Sequence, residues 1–314
     1  MIRIYYKQDG KVLKEADVRL LGELQNLIWI DMQAPTQEEE EWVESKCNIS
    51  IQTPQEIAEI ESSSRYFERN GEITANSNFL KLTDGSYSKH PVSFIIKDAI
   101  LYTYRQTDFA SFADVVRKIK ANNEVFNSGF DVMMSIQETR VDLDADLIEK
   151  VSVEITQFSR ELMNTQKTNS DILLEITEMQ ENTMMFRENI IDKQRVLSYL
   201  LKSDSFPEDK KQRLRIILKD ITSIIEYTAF NFERLEYLQN TLMGLINIEQ
   251  NKIIKRFTVF SIAFLPATLI TGMFGMNFDL IPMAHTNLGF MFSVLFMMLS
   301  SGLVLLVFKR KRWI

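Results

Sequence analysis

Two stretches near the C-terminus, Phe257 to Met276 and Gly289 to Phe308, each run for 20 residues without a charged side chain. At ~1.5 Å per residue, a helix of about 20 residues crosses the ~30 Å hydrocarbon layer of a bilayer. The competing arrangement is a buried hairpin in a soluble core. Two consecutive spans of membrane length at one end of a densely charged chain count against it. Met1 to Gly10 is short and polar and does not read as a secretory leader.

The flanking cations orient the spans. Lys252, Lys255 and Arg256 precede the first, and Lys309, Arg310, Lys311 and Arg312 follow the second. The connection from Asn277 to Leu288 has no Lys or Arg. Cations collect on the cytoplasmic side, so both termini are expected in the cytoplasm, with Trp313 at the inner interface. Setting aside the four C-terminal cations from the 36 basic residues and Asp279 from the 43 acidic ones leaves residues 1–256 about ten charges negative. That balance argues against a nucleic-acid partner, and it suits either solubility or the gathering of cations near a pore entrance. The single Cys47 allows no internal disulfide framework and no zinc cluster. His90 and His285 are far apart and no Gly-rich phosphate loop occurs, so neither an enzyme nor a resident cofactor is expected.

The N-terminal part alternates short apolar runs with turn residues. Ile2 to Tyr6, Leu27 to Asp31, Phe79 to Leu82 and Val92 to Arg105 are predicted strands, the last a hairpin turning at Lys97-Asp98. Pro35-Thr36 followed by Gln37 and consecutive Glu residues marks the start of a helix reaching Lys46. Beyond Thr107 apolar residues recur at intervals of three and four, which predicts helices over Asp108 to Asn122, Phe130 to Gln166 and Asp171 to Lys202. Asn169-Ser170-Asp171 would cap the turn between two antiparallel helices. Ser205 with Glu208 fits a capping box, and Pro207 sits where a first helical turn needs no donor.

From Pro207 no stop signal appears before Phe274, apart from Pro266 inside the first span. One helix of some 68 residues, about 100 Å long, would therefore run from the cytoplasm through the bilayer. A helix of that length needs neighbours, from its own chain and from other copies. Stepping alternately by four and three from Asn240 gives Gly244, Asn247, Asn251, Ile254, Thr258, Ser261, Leu265, Thr268, Gly272 and Gly275. Nine of these eleven are Asn, Gly, Ser or Thr, and a face that polar does not belong in lipid. Two readings remain open: close helix packing through small residues, or a pore wall with Ile254, Leu265 and the adjacent Phe257 as apolar constrictions. The second requires an oligomer.

Gly275-Met276-Asn277 ends that helix, with Phe278 next and Pro266, Thr268 and Gly272 upstream in the pattern Pro-x-Thr-x-x-x-Gly-x-aromatic-Gly-Met-Asn. In this tripeptide between two C-terminal spans, and in the basic tail from Lys309 to Trp313, the chain resembles the CorA family of divalent-metal transporters. Looser similarity extends to Trp29-Ile30-Asp31, to Pro35-Thr36 and the acids after it, to the segment from Glu56 to Arg65, and to Val92 to Arg105. The resemblance implies an α+β chain assembled as a funnel-shaped homopentamer. It divides into an α/β cytoplasmic domain (1–125), a helical hairpin (126–206), a stalk helix continuing into the first span (207–276), an outer loop (277–288), a second span (289–308) and a tail (309–314). It implies no enzyme activity but passive, potential-driven passage of Mg²⁺, with Co²⁺ and Ni²⁺ as further cargo. Gly275, Met276 and Asn277 would form the selectivity end of a pore lined by the stripe. A ring of neutral amide oxygens from Asn277 can hold a hydrated ion through its waters without trapping it.

In the family, cytoplasmic ions bound between subunits favour closure. Asp220, and behind it Glu226, are the positions on the stalk that fit, so Mg²⁺ would be both cargo and regulator. The outer loop, Asp279-Leu280-Ile281-Pro282-Met283-Ala284, lacks one carboxylate of the usual pattern and leaves Asp279 at the mouth, with His285 as a loop residue. That departure keeps a zinc transporter of the related ZntB type as an alternative. A membrane-anchored coiled-coil scaffold that conducts nothing is the other.

Overall fold

The computed structural model describes residues 1–58, 65–69, 71–83, 86–161, 169–276, 281–283, 286 and 288–311. They form two compact units, Met1–Leu238 and Gln239–Ile314, and one helix continues from the first into the second.

The first unit is built on a seven-stranded mixed sheet. Its strands are β1 (Ile2–Gln8), β2 (Lys11–Glu15), β3 (Leu27–Gln33), β4 (Tyr66–Arg69), β5 (Glu72–Thr83), β6 (Ser86–Lys97) and β7 (Ile100–Arg105), in the order β2-β1-β3-β7-β6-β5-β4. Only β3 and β7 pair in parallel. The expected run from Val92 to Arg105 does reverse in a hairpin, one residue later than its sequence suggests. Lys97 pairs with Ile100, and Asp98 and Ala99 between them both take positive φ, the two-residue turn whose twist matches that of the strands. Phe79 to Leu82 proves to be only the end of the 12-residue β5.

Helices cover both faces. Ile30, Met32, Ile95, Tyr102 and Tyr104 pack against Leu21 of a 3-10 turn (Val18–Gly22), Val43 of α1 (Gln37–Cys47) and Ile57 of α2 (Pro54–Ala58). On the other face Trp29 and Phe79 meet Phe109 and Phe112 at the start of α3 (Ala110–Ala121), and Phe94 packs beside Phe79, through ring contacts of 5.3 to 6.2 Å. Beyond them lie α4 (Gly129–Glu161) and α5 (Asn169–Lys202). Gly129 begins α4 with its backbone N–H on the Ala99 carbonyl at 2.6 Å, and a Cβ there would come within 2.2 Å of the Leu101 nitrogen. Glycine is therefore required where α4 docks on the hairpin.

The start of α1 follows from local chemistry. Thr36 accepts from the Glu39 N–H, and the Glu39 carboxylate accepts from the Thr36 N–H at 3.0 Å, so two donors left over at the helix end are satisfied. Thr36→Ala is expected to cost ~1 kcal/mol, read as an earlier denaturation midpoint in the fluorescence of Trp42 on the same helix.

Two buried polar clusters fix the sheet and helices to one another. Asp31, only 1% exposed, accepts from Arg105 Nε and Nη2 (3.0 and 2.9 Å), from Arg3 Nη1 and from Thr103 Oγ1, while the Trp29 indole N–H donates to that threonine at 2.9 Å. This network ties β1, β3 and β7 together and accounts for Trp29, Asp31 and Arg105 in the sequence. The second cluster centres on Asp144 of α4, which accepts from Arg140 and from Lys193 Nζ of α5 (2.5 Å). Lys193 also donates to Asn189 Oδ1 at 2.7 Å, Asn189 donates to the Asn78 carbonyl of β5 at 2.7 Å, and the Phe79 ring lies about 5 Å from both cations. Burial pushes the Lys193 ammonium down to about 8, against the upward pull of Asp144.

The long helix α6 spans Glu208–Phe274 with Pro266 inside it, and α7 spans Gly289–Arg310. The expected capping box at its start is not made. Ser205 Oγ donates instead to Glu68 Oε2 at 2.9 Å, and the Glu208 carboxylate turns forward to Lys211 at 2.9 Å. A tertiary acceptor competes successfully with the local backbone there. Within the first unit, Leu214, Ile217, Ile221, Ile224, Thr228, Asn231, Leu235 and Leu238 are buried at alternating steps of three and four, the seam of a coiled-coil-like helix. Polar contacts flank the seam: Arg213 makes a bidentate pair with Glu138, Lys210 pairs with Asp131, Tyr227 Oη meets Ser152 Oγ at 3.1 Å, and Arg234 donates to Thr156 Oγ1 at 3.0 Å.

Candidate pore helix and membrane unit

In the second unit two helices are long and apolar enough to cross a membrane, α6 by its C-terminal part and α7. Only 11% and 6% of their most apolar windows are buried, so these are not core helices of a soluble fold.

The membrane part of α6 has two unlike faces. Ala263 and Ile270 are buried and Val259 and Pro266 half-buried, and Leu305 of α7 lines the same groove as Val259 and Ala263. Thr258, Ser261, Leu265, Thr268 and Gly272 are all exposed, and at ~100° per residue they lie about 150° around the helix from that covered face. The polar stripe is thus the side its own chain leaves open. Asn240, Gly244, Asn247 and Asn251 are exposed as well, and the apolar members Ile254, Phe257 and Leu265 are 61%, 70% and 67% exposed. A Cβ placed on Gly244 or Gly272 meets nothing within 4 Å. The small residues do not serve packing within this chain.

Hydroxyls on this face close onto their own helix. Thr258 Oγ1 donates to the Ile254 carbonyl at 2.8 Å and Thr268 Oγ1 to the Phe264 carbonyl at 3.1 Å. Thr271 does the same towards Ala267 and Thr268. Such back-bonding lets hydroxyl side chains sit in a membrane helix without an unpaired donor.

The helix ends at Phe274. The Gly275 N–H reaches the Thr271 carbonyl at 2.9 Å, a Cβ on Gly275 would stand 3.1 Å from that oxygen, and Met276 is 52% exposed. Asn277, Phe278, Asp279, His285, Arg312 and Trp313 lie outside the described residues.

The cytoplasmic candidates Asp220 and Glu226 are both exposed on α6. Asp220 lies within electrostatic reach of Asp142 on α4. The Asp142 carboxyl is pushed up first by burial and then by Glu138, Asp146 and Asp220, with Lys118 opposing. Among the described residues no three His, Cys, Asp or Glu side chains converge as a metal site. Sequence reading missed the pairing of α6 with α4 through Arg213–Glu138 and Lys210–Asp131, because partners 75 and 79 residues apart carry no local signal.

A soluble mixed-sheet unit, one helix leading from it into the membrane unit, and a second apolar helix after a Gly-Met-Asn end define a two-span membrane protein. Residues 25–310 match the family described as CorA-like Mg²⁺ transporter protein. The chain belongs to that family, a family of transporters and not of enzymes. A magnesium transport protein CorA of Wolinella succinogenes is 34% identical over 321 residues, covering the whole of both chains. One from Escherichia coli K12 is 30% identical, covering 98% of this chain and 99% of its own. The complete CorA magnesium transporter of Methanocaldococcus jannaschii has the same fold, with a TM-score of 0.84 at 18% identity over 100% of this chain and 99% of the other. The family and fold expected from the sequence are thus found.

Proposed function

We propose that five copies of this chain form a channel in the inner membrane that admits Mg²⁺ passively, with both termini in the cytoplasm and the exposed stripe of α6 facing the pore axis. One observation carries the reading: the polar face of the membrane helix is turned away from α7 and left uncovered by its own chain. In a bilayer such a face needs water or other helices. Five such faces around an axis enclose a wet path, with Ile254, Phe257 and Leu265 as rings that close it by dewetting. Mg²⁺ dehydrates reluctantly, so a ring of Asn277 amides at the outer end holds it through its waters, weakly enough for it to leave. Asp279 draws cations to the mouth. An inside-negative potential contributes ~2.3 kcal/mol per charge per 100 mV, and twice that for a divalent ion. On the cytoplasmic side, ions bridging Asp220, with Glu226 behind it, to a neighbouring subunit hold the closed arrangement, and their loss frees the helices to move.

The test is ion flux into proteoliposomes over Mg²⁺, Co²⁺, Ni²⁺ and Zn²⁺. Mg²⁺ influx is expected to follow the membrane potential and to fall about tenfold in Asn277→Ala, the equivalent of ~1.4 kcal/mol in a barrier. Zn²⁺ flux driven by a pH gradient would instead establish the ZntB-type alternative, and no flux of any divalent ion would leave the scaffold.

A further inference from the structure

The membrane unit holds a second feature, independent of which ion passes. Between α6 and α7 a groove of about 590 Å³ is walled by Val259, Phe260, Ala263, Phe264 and Leu305, and it is open at one end to Lys252, Lys255 and Arg256. Its size falls within the ~300–1,000 Å³ of small-molecule sites. The rings of Phe260 and Phe264 stand 4.6 Å apart and make one continuous apolar side. The three cations are exposed and form no ion pair among the described residues. They occupy the last turns before the charge-free span, at the level of the phosphate layer, while the apolar walls run on into hydrocarbon. A second groove, of about 490 Å³, lies along α7 between Leu288 and Met298 and is lined by apolar residues alone. Of these two grooves, the one beside Lys252, Lys255 and Arg256 pairs an acyl-sized apolar slot with a cluster of uncompensated positive charge.

We propose that this groove is a binding site for an anionic phospholipid, its phosphate held by Lys252, Lys255 and Arg256 and one acyl chain lying along Val259, Phe264 and Leu305. Charge complementarity selects this occupant: a zwitterionic lipid brings its own cation to a mouth already crowded with three, and a second copy of the chain would bury those charges without an anion. Arg256 can engage a phosphate bidentately, and the lysines add point charges.

The experiment measures phosphatidylglycerol and phosphatidylcholine retained by the purified full-length protein in detergent, by native mass spectrometry. Phosphatidylglycerol is expected to stay bound at collision energies that strip phosphatidylcholine. The double variant K252Q/R256Q is expected to lower its retention about tenfold and to leave phosphatidylcholine unchanged. Leu305→Trp, which fills the slot and alters no charge, is expected to lower it comparably, whereas K202Q/K219Q, with the same loss of charge at residues that do not line the groove, has no effect. Oligomer mass monitors assembly in every variant. Equal retention of the two lipids would overturn the proposal. So would full retention in K252Q/R256Q or in Leu305→Trp, the latter because it would reduce the site to bulk surface charge. Cross-linking of a Leu305→Cys chain to a second copy would put protein in the groove and overturn it as well.

Discussion

Gly272→Leu is expected to reduce Mg²⁺ flux about a hundredfold, to a level set by leakage, in a chain that still folds and inserts. In one subunit the substitution is harmless. A Cβ at Gly272 meets nothing within 4 Å, and leucine favours a helix over glycine by up to ~1 kcal/mol. Harm can arise only where copies meet. If five stripes face an axis, five isobutyl groups converge one turn below the Gly-Met-Asn end and close the path, with the oligomer intact. If the stripe is a packing seam between two helices, leucine separates them, and the oligomer mass falls together with the flux. Sizing the variant alongside the flux measurement tells the two apart.

Asp144→Ala is expected to be the most damaging single change in the soluble unit. Asp144 is 1% exposed and compensates both Arg140 and Lys193, themselves 4% and 1% exposed. Removing it strands two cations, and breaking a buried pair in that way costs ~3–5 kcal/mol. For a domain of this size the loss is a fall of roughly 10 °C in the unfolding midpoint, followed by the fluorescence of the buried Trp29. Lys193→Met removes charge and desolvation together and leaves Asp144 with Arg140, so it should cost far less. The pair also predicts a pH signature. The folded Lys193 titrates at about 8 and the unfolded side chain near its ordinary 10.5. Between those values the unfolded chain binds a proton that the folded chain has released, so stability rises with pH through that window. Wild type should therefore gain on Lys193→Met between pH 8 and 10.5, and a constant difference would refute the assignment.

What could be read from the sequence divides along physical lines. Membrane spans announce themselves by composition, and the stripe by simple periodicity, so Phe257 to Met276 and Gly289 to Phe308 needed no partner to be recognised. Thr36 and the turn after Lys97 were legible because their energetics are local. β2 was not, since Lys11–Glu15 is a short edge strand with charges on both faces and no buried residue to mark an inner one. The first half of β5 was hidden because buried Thr74, Asn76 and Ser77 interrupt its apolar pattern. Asp144 and Lys193 looked like ordinary helix charges, for they are 49 residues apart and only the packing of α4 on α5 brings them together. For the same reason Asp220 could be located on α6 from sequence, while its acidic neighbour Asp142 on α4 could not.

If the open face lines a pore, as proposed, its threonines bear on which sign of charge can pass. Because Thr258 and Thr268 commit their hydroxyl hydrogens to carbonyls of their own helix, each turns outward only lone pairs. Water around a cation points its hydrogens away from the ion and finds acceptors along this wall. A halide would need donors there, and these two side chains have none left to give. An uncharged lining can in this way favour positive over negative permeants before any carboxylate is reached.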